Sequence, residues 1–286
     1  MKVGISGASG NLGKAIQAEI SARNAGVKVV AISRTPGSPP SGVEGRLGDY
    51  DHPETLAAAY AGLDRLVIIP SADLRKGVRG AQLVAAIDAA VAAGVQHIVL
   101  VSAVGTRKQE EPHIGAAYWV GEQHLIKTAP AWTVVRMSYY AEAFAGDAQM
   151  SAGIGVLAGL SENRVAYVSR ADVAAAVAGV LIGDGHEGAI YSATGPKSFT
   201  GAERAAAATT FIGKPFGFVV VTEEQLRGGL AQAGLPEDVV NAVASIQADY
   251  STGAFDIVTG DVERLSGGRA PRTLEDVLNA LSSGEG

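Results

Sequence analysis

Short runs of nearly continuous apolar residues alternate, along the first half of the chain, with longer stretches whose apolar residues recur every three or four positions. The short runs are typical of strands buried on both faces of a parallel sheet, and the longer stretches are typical of amphipathic helices. The runs that predict strands are 3–5, 27–33, 43–47, 65–69, 97–101 and 132–135. Because helical stretches follow after short connections, we expect an α/β fold with a doubly wound parallel sheet.

The pattern becomes looser from Phe144 onward. Strands are predicted at 188–193 and 216–221, and helices are predicted up to Ile182, from Thr200, at 223–233 and at 236–250. No linker marks a separate folding unit. We therefore expect residues 1–150 to form the main domain, and residues 151–286 to form mainly a smaller lobe with parts that return to the sheet.

A glycine-rich turn joins the first predicted strand to the first predicted helix. Glycine has no Cβ and adopts positive φ, so a pyrophosphate can approach such a turn closely. The following helix directs unpaired N–H groups and the positive end of its dipole at that anion. The spacing G-x-x-G-x-x-G therefore predicts a dinucleotide-binding turn of the Rossmann type. The residues assigned to it are Gly7, Ser9, Gly10, Asn11, Leu12 and Gly13.

Two other glycine-rich loops are excluded by the residues present. A mononucleotide P-loop requires glycine five positions before the Gly-Lys pair and Ser or Thr after the lysine, and these positions hold Ala8 and Ala15. A hydrolase nucleophile elbow requires G-x-S-x-G, whereas Ser9 is followed directly by Gly10.

The residue that follows the second predicted strand indicates which dinucleotide is bound. An NAD-preferring site carries Asp or Glu about 20 residues after the glycine turn, where it accepts a hydrogen bond from the ribose 2′-hydroxyl. This chain has Arg34 there, and a guanidinium suits a 2′-phosphate. We predict NADP(H) as the cofactor. The alternative for Arg34 is a solvated side chain at a strand end.

Further cofactor contacts are predicted after the other strands, because ligands of such sheets bind beyond the carboxyl ends of the strands. Asp49 and Tyr50 are predicted beside the adenine, with a turn and helix cap as the alternative. The remaining predicted contacts are Ile69, Pro70, Ser71, Ser102, Ala103, Val104 and Met137.

The predicted helix 114–127 contains the positions at which related enzymes carry the residues for proton transfer. Short-chain dehydrogenases usually have a tyrosine followed four residues later by a lysine, whose ammonium lowers the pKa of the tyrosine. Here Tyr118 is followed by Glu122, so Tyr118 is a poor copy of that donor. Tyr118 and Tyr140 are nevertheless predicted to touch the substrate. Tyr139 and Phe144 are predicted to wall the substrate pocket, with core packing as the alternative.

Composition narrows the function classes. The 286-residue chain has a net charge of −6, which argues against a broad nucleic-acid interface. The absence of cysteine excludes thiol catalysis and cysteine-ligated metals, and the histidines show no ligand spacing, so no metal site is predicted. No apolar run approaches the roughly 20 residues of a membrane span, and no apolar leader precedes the first strand. We expect a cytoplasmic monomer or homodimer that acts on a small molecule.

Several segments resemble the NmrA-like group of atypical short-chain dehydrogenases, and within it the NADPH-dependent quinone and triphenylmethane reductases. These segments are 7–13, 48–50, 95–102, 135–137, 222–224, 233–236 and 261–265. The resemblance implies a Rossmann fold with a small substrate lobe, NADP(H) binding and hydride transfer to a conjugated acceptor. In that group the position of Tyr118 often holds histidine, whereas the acid at Glu122 is shared.

The missing Tyr–Lys pair bears on the substrate class. Reduction of an isolated ketone builds alkoxide charge and needs a proton donor, whereas a quinone, an enone or a cationic dye delocalises or cancels the charge and needs mainly oriented stacking. We expect an NADPH-dependent reductase of quinone-like or other conjugated electrophiles. The alternative is an NADP(H)-binding redox sensor without turnover. A nucleotide-sugar epimerase or dehydratase is a weaker interpretation, because those enzymes use the Tyr–Lys pair.

Overall fold

The computed structural model describes residues 1–23, 26–37 and 39–284. The strands are β1 (Lys2–Ser6), β2 (Lys28–Ser33), β3 (Val43–Leu47), β4 (Arg65–Ile68), β5 (His97–Ala103), β6 (Trp132–Met137), β7 (Tyr139–Tyr140), β8 (Val156–Gly159), β9 (Val165–Val168), β10 (Ala189–Ala193), β11 (Ser198–Phe199) and β12 (Gly217–Val220). The helices are α1 (Asn11–Ala22), α2 (Leu56–Tyr60), α3 (Val78–Ala92), α4 (Ile114–Thr128), α5 (Ala141–Met150), α6 (Arg170–Ile182), α7 (Gly201–Ile212), α8 (Glu223–Gln232), α9 (Glu237–Ser251), α10 (Asp261–Leu265) and α11 (Leu274–Ser283).

Seven of the described strands form one parallel sheet in the order β3-β2-β1-β4-β5-β6-β10. The chain moves outward in one direction from β1 to β3, and in the other direction from β4 to β10. The topological switch point therefore lies between β1 and β4, where sheets of this kind bind their ligands. The prediction of a doubly wound α/β fold is confirmed.

The two faces of this sheet bury different sets of side chains. Along β5, Ile98 and Leu100 pack on one face with the residues of α2 and α3, whereas Val99 and Val101 pack on the other face with α1 and α6. All four side chains are fully buried. This two-sided burial explains why the strands are almost continuously apolar, and the burial of so much aliphatic surface is the main source of stability for the domain.

The C-terminal half adds a lobe at one end of the sheet and one further strand to the sheet itself. The strand β10 pairs with β6, while β7, β9 and β11 form a small separate sheet, and β8 pairs with β12. The core of this lobe contains tyrosines and phenylalanines from these strands and from α5, α7 and α9, together with leucines and a valine of α11. None of the helices that the structure describes is long and apolar enough to cross a membrane.

The structure corrects several predicted boundaries. Strand β6 continues to Met137, two residues beyond the prediction, because Arg136 interrupts the apolar run without ending the strand. Tyr139 and Tyr140 form the separate strand β7, where no strand was predicted. A 3₁₀ turn at Pro53–Thr55 leads into the short α2. The helices α5 and α11 and the short strands β8, β9 and β11 lie where the pattern predicted no element.

Candidate cofactor and substrate site

The register of the sheet places the carboxyl ends of its central strands along one edge. Ser6 in β1 pairs with Ile32 in β2 and with Ile68 in β4. Ala103 in β5 pairs with Met137 in β6. The segments that follow these strands therefore lie at the same edge of the sheet, although they are far apart in the sequence.

The glycine turn between β1 and α1 is held against the end of β2. Gly7 adopts a φ of 92°, and the N–H groups of Gly7 and Ala8 both donate to the carbonyl oxygen of Ile32 at 3.0 Å. A Cβ on Gly13 would lie 2.4 Å from the carbonyl oxygen of Gly7. The first turn of α1 can lie this close to the glycine turn only because residue 13 lacks a side chain.

The N-terminus of α1 is open to an anion. The helix begins at Asn11, its N-cap residue Gly10 has no capping side chain, and its first turn carries no acid. Ser9, Gly10 and Asn11 are exposed. Because the first N–H groups of a helix have no partner within the helix, they are available to bind a phosphate group. Both the close glycine packing and the open helix end fit a pyrophosphate.

Arg34 and the segment after β3 lie on the same side of the turn. Arg34 is exposed and stands two residues after Ile32, whose carbonyl oxygen accepts from the glycine turn. Asp49 is engaged in a turn, because its Oδ1 accepts from the N–H of Asp51 at 3.0 Å. The Tyr50 hydroxyl donates to the carbonyl oxygen of Ile69 at 3.0 Å, which joins this segment to the end of β4.

The segment after β4 continues this edge toward β5. The N–H of Ile69 donates to the carbonyl oxygen of Ser6 at 3.1 Å, and the Ser71 hydroxyl donates to Gln82 on α3. Ile69, Pro70 and Ser71 are all half-buried. These predicted residues are therefore held beside the glycine turn by hydrogen bonds to both neighbouring elements.

A pocket of about 150 Å³, called the edge pocket, lies at the carboxyl ends of β5 and β6. Six of the predicted site residues line it: Ala103, Val104, Tyr118, Met137, Tyr139 and Tyr140. Eight other lining residues were not predicted: Thr106, Ile114, Gly115, Ser138, Ala143, Ile246, Asp249 and Phe255. The last three belong to α9 and the segment after it, so the C-terminal lobe closes one side of the pocket.

Two titratable groups of the edge pocket, Tyr140 and Asp249, have shifted pKa values, and the shift of Tyr140 disfavours loss of its proton. Burial raises the pKa of Tyr140 above its ordinary value, and the neighbouring Tyr118 raises it further, while the guanidinium of Arg170 opposes this shift. Burial would also raise the pKa of Asp249, but hydrogen bonds and charge from His113 and Arg107 hold that pKa below its usual range. At neutral pH the pocket therefore contains a protonated Tyr140 and an ionised Asp249.

Glu122 lies behind the edge pocket and is paired within the protein. Its side chain is buried, and its two oxygens accept from Arg136 Nε at 2.9 Å and Nη2 at 2.6 Å. The fully buried Ser102 donates its hydroxyl to the same carboxylate at 2.6 Å. The Ser102 side chain, predicted to contact the cofactor, is thus engaged in the interior. This network joins α4, β5 and β6, and Glu122 stands four residues after Tyr118 on α4.

A second and larger space, called the lobe cavity, lies within the C-terminal lobe and measures about 460 Å³. Phe144, predicted to wall the substrate pocket, lines this cavity rather than the edge pocket, whereas Tyr139 lines both. Asp147 also faces it. Burial raises the pKa of Asp147 to about 6, although the hydrogen bond from the Tyr139 hydroxyl, at 3.2 Å, acts to lower it.

The sequence carried only weak signals for the residues that were missed. Asp249 is an acid on the buried side of an otherwise amphipathic helix, and Ile246 is one of that helix's regular apolar residues. Neither stands next to a recognisable motif. Only the folding of α9 against α4 brings these residues to the edge pocket.

Comparison with known proteins agrees with this geometry. A family model described as NAD(P)H-binding matches residues 7–183, which is more than half of the chain. The chain is 31% identical over 253 residues to an NAD(P)H azoreductase from Xenophilus azovorans, covering 86% of this chain and 85% of that protein. The chain belongs to the NAD(P)H-binding family, and the prediction of an NAD(P)H-dependent oxidoreductase is confirmed.

Two solved structures resemble the whole chain. The Escherichia coli NADPH-dependent quinone oxidoreductase QOR2, complexed with NADPH, has a TM-score of 0.89 at 28% identity and covers 98% of this chain and 99% of its own. The Citrobacter sp. triphenylmethane reductase complexed with NADP(H) has a TM-score of 0.84 at 26% identity, with the same coverage. The predicted resemblance to the NmrA-like quinone and triphenylmethane reductases is therefore confirmed.

The Glu122–Arg136 pair gives a prediction about stability. Replacement of Arg136 by methionine (Arg136→Met) leaves a buried carboxylate without its cation, and we expect it to lower the free energy of unfolding by about 3 kcal/mol. The double variant Arg136→Met/Glu122→Gln removes the charge as well and should recover at least half of that loss. Urea denaturation of both variants measures this, and equal losses would contradict the assignment of a buried ion pair.

The environment of Asp147 gives a prediction about pH. Because its folded-state pKa lies above its unfolded value, the carboxyl costs stability that appears as pH rises from about 4 through 6 and is complete above that. Asp147→Asn should therefore raise the free energy of unfolding at pH 7.5 by about 2 kcal/mol and leave it unchanged near pH 4. Chemical denaturation at both pH values measures the difference. The exposed Glu224→Gln on α8 is the control, and a gain that persists at pH 4 would contradict the account.

Proposed function

We propose that this protein is an NADPH-dependent reductase that transfers hydride to quinones and similar conjugated electrophiles. The observation that carries the proposal is the edge pocket. It adjoins the sheet edge that holds the glycine turn, its walls are mainly aromatic and apolar, and Glu122, paired with Arg136, stands where a lysine would activate Tyr118. The printed names of the relatives, an azoreductase and a quinone oxidoreductase, support the same class of acceptor.

The residues available for the cofactor are those of the sheet edge. The N–H groups in the first turn of α1, at Asn11, Leu12 and Gly13, have no partner within the helix and would bind the pyrophosphate, and Arg34 would pair with the 2′-phosphate. Residues 1–150 would thus form the NADP-binding domain, and residues 151–286 would mainly shape the substrate site. We assign these two roles because β5 and β6 form the floor of the edge pocket, whereas α9 closes its side.

The chain's own residues then orient the acceptor. When bound, the cofactor supplies a hydride, and one proton from solvent completes the two-electron reduction of a quinone to a quinol. Met137 and Tyr139 would hold the acceptor ring by contact with its faces. Tyr140 keeps its proton at neutral pH because burial raises its pKa. It is therefore suited to donate a hydrogen bond to the acceptor oxygen rather than to remove a proton.

Turnover with conjugated acceptors tests this proposal. We expect NADPH to be oxidised in the presence of 2-methyl-1,4-benzoquinone but not in the presence of cyclohexanone, whose alkoxide requires a strong proton donor. Tyr118→Phe should lower kcat by less than about tenfold, since a general acid would contribute about 100-fold or more. The absorbance of NADPH follows the reaction. Tight NADPH binding without oxidation by any quinone, enone or dye would instead favour a redox sensor.

Arg34 gives a separate prediction about cofactor choice. Loss of a charge-assisted contact costs about 1.5–3 kcal/mol, so Arg34→Ala should weaken NADPH binding by about 10- to 100-fold and leave NADH binding unchanged. Calorimetric titration with each cofactor measures the ratio. Arg227→Ala on α8, in the lobe, serves as the control. An unchanged ratio of NADPH to NADH affinity would remove Arg34 from the site.

A further inference from the structure

The edge pocket and the lobe cavity share a wall. Tyr139 and Ile246 line both spaces, the first from β7 and the second from α9. The edge pocket measures about 150 Å³ and the lobe cavity about 460 Å³. A dry cavity of about 150 Å³ holds a single benzene ring. An acceptor larger than one ring must therefore place its remaining atoms outside the edge pocket.

The lobe cavity has the chemistry of a site for an apolar group. The helix α8 contributes Leu226, Gly229 and Leu230, and its C-cap residue Ala233 continues the same helix face. The elements α5, β8 and α9 contribute further aliphatic and aromatic side chains. Because these side chains leave about 460 Å³ unfilled, the lobe core can take up an apolar group without displacing its own residues.

The charged groups of the lobe cavity are engaged with the protein. Arg204 donates through Nη2 to the carbonyl oxygen and to Oδ1 of Asn163, and its guanidinium lies 4.9 Å from the centroid of the Phe218 ring. Asp147 accepts from the Tyr139 hydroxyl. These interactions leave a predominantly apolar surface for a ligand, with a single carboxyl near the shared wall.

The rim of the lobe cavity is also apolar. Met150 and Ile154 line it, and they are 59% and 77% exposed, respectively. Large apolar side chains exposed together beside a cavity are typical of ligand-binding openings. The lobe cavity therefore has an apolar opening to solvent at one end and the edge pocket at the other.

We propose that the lobe cavity binds the apolar tail of the acceptor while its conjugated ring occupies the edge pocket. The preferred substrates are then ring electrophiles that carry a long alkyl chain, and not quinones that lack such a chain. This inference rests on the proposed function, since it assigns the second half of the same substrate. The bound acceptor would extend from the edge pocket into the lobe cavity beside Tyr139 and Ile246, the two residues that line both spaces.

A chain-length series tests the proposal. Each fully buried methylene contributes about a fourfold gain in affinity. We therefore expect kcat/KM to be at least tenfold higher for 2-octyl-1,4-benzoquinone than for 2-methyl-1,4-benzoquinone. Equal values for the two quinones, with both reduced, would overturn the inference and leave the proposed function intact. Failure to reduce either quinone would overturn the proposed function instead.

Two adjacent glycines of α8 provide matched variants. A Cβ added at Gly228 or at Gly229 meets no atom within 4 Å, but only Gly229 lines the lobe cavity. We expect Gly229→Phe to fill the cavity, abolish the preference for the octyl quinone and leave the methyl quinone within twofold of wild type. Gly228→Phe should retain the full preference. Loss of the preference in both variants, or in neither, would overturn the assignment of the tail to this cavity.

A binding measurement without turnover completes the test. In calorimetric titrations with NADP⁺ present, 4-octylphenol should bind at least tenfold more tightly than 4-methylphenol to the wild-type protein and to Gly228→Phe. The difference should disappear in Gly229→Phe. This readout does not depend on hydride transfer, so it tests the lobe cavity even if the proposed activity fails. A difference that survives in Gly229→Phe contradicts the proposal.

Discussion

The close approach of α1 to the glycine turn is the constraint on which the rest of the site depends. Gly13 lies so near the carbonyl oxygen of Gly7 that a Cβ would come within 2.4 Å of it. This contact brings the N-terminus of α1, and with it a set of unpaired N–H groups, directly over the carboxyl end of β1. Because the parallel register aligns β1 with β2 and β4, the same contact determines which of the following segments can face a ligand.

The buried ion pair between Glu122 and Arg136 joins α4 to β6 behind the edge pocket. In enzymes with a Tyr–Lys pair, a lysine on the corresponding helix supplies the positive charge that assists proton transfer. Here α4 carries Glu122, whose carboxylate pairs with Arg136 of β6 and accepts a hydrogen bond from the Ser102 hydroxyl. The network stabilises the packing of α4 on the sheet. Under the proposed function, the aromatic and apolar walls of the edge pocket would receive acceptors able to delocalise the charge.

The sheet was predictable from sequence, whereas the short strands of the lobe were not. Strands such as β2 and β5 are buried on both faces, so their apolar runs are continuous and identify them. The strands β7, β9 and β11 are only two to four residues long, which is too short for any period to show. The predicted strand ended before Arg136 because a charged residue interrupts the apolar run. The strand itself continues, because the charge of Arg136 is compensated by Glu122, 14 positions away. Such compensation is a tertiary effect, which a local pattern does not contain.

The same distinction between local patterns and tertiary effects applies to the residues of the candidate site. The glycine turn and Arg34 were predicted because they follow strands at spacings that have a physical reason, and their contacts with the cofactor stay predictions. Phe144 was assigned to the substrate pocket because it follows a strand end, but α5 turns it toward the lobe cavity. Asp249 and Ile246 were not predicted at all, since α9 reaches the edge pocket only through its packing on α4. When a distant helix supplies a residue to the site, the sequence around that residue contains no motif that indicates its role.

Calorimetric titration of the purified protein with NADPH is the most direct test of the central claim that this sheet edge binds a phosphorylated dinucleotide. The account predicts one binding site per chain with a dissociation constant on the order of micromolar or tighter, and loss of that binding in Gly13→Val, whose side chain would enter the glycine turn. The absence of binding to the wild-type protein, or undiminished binding to Gly13→Val, would contradict it.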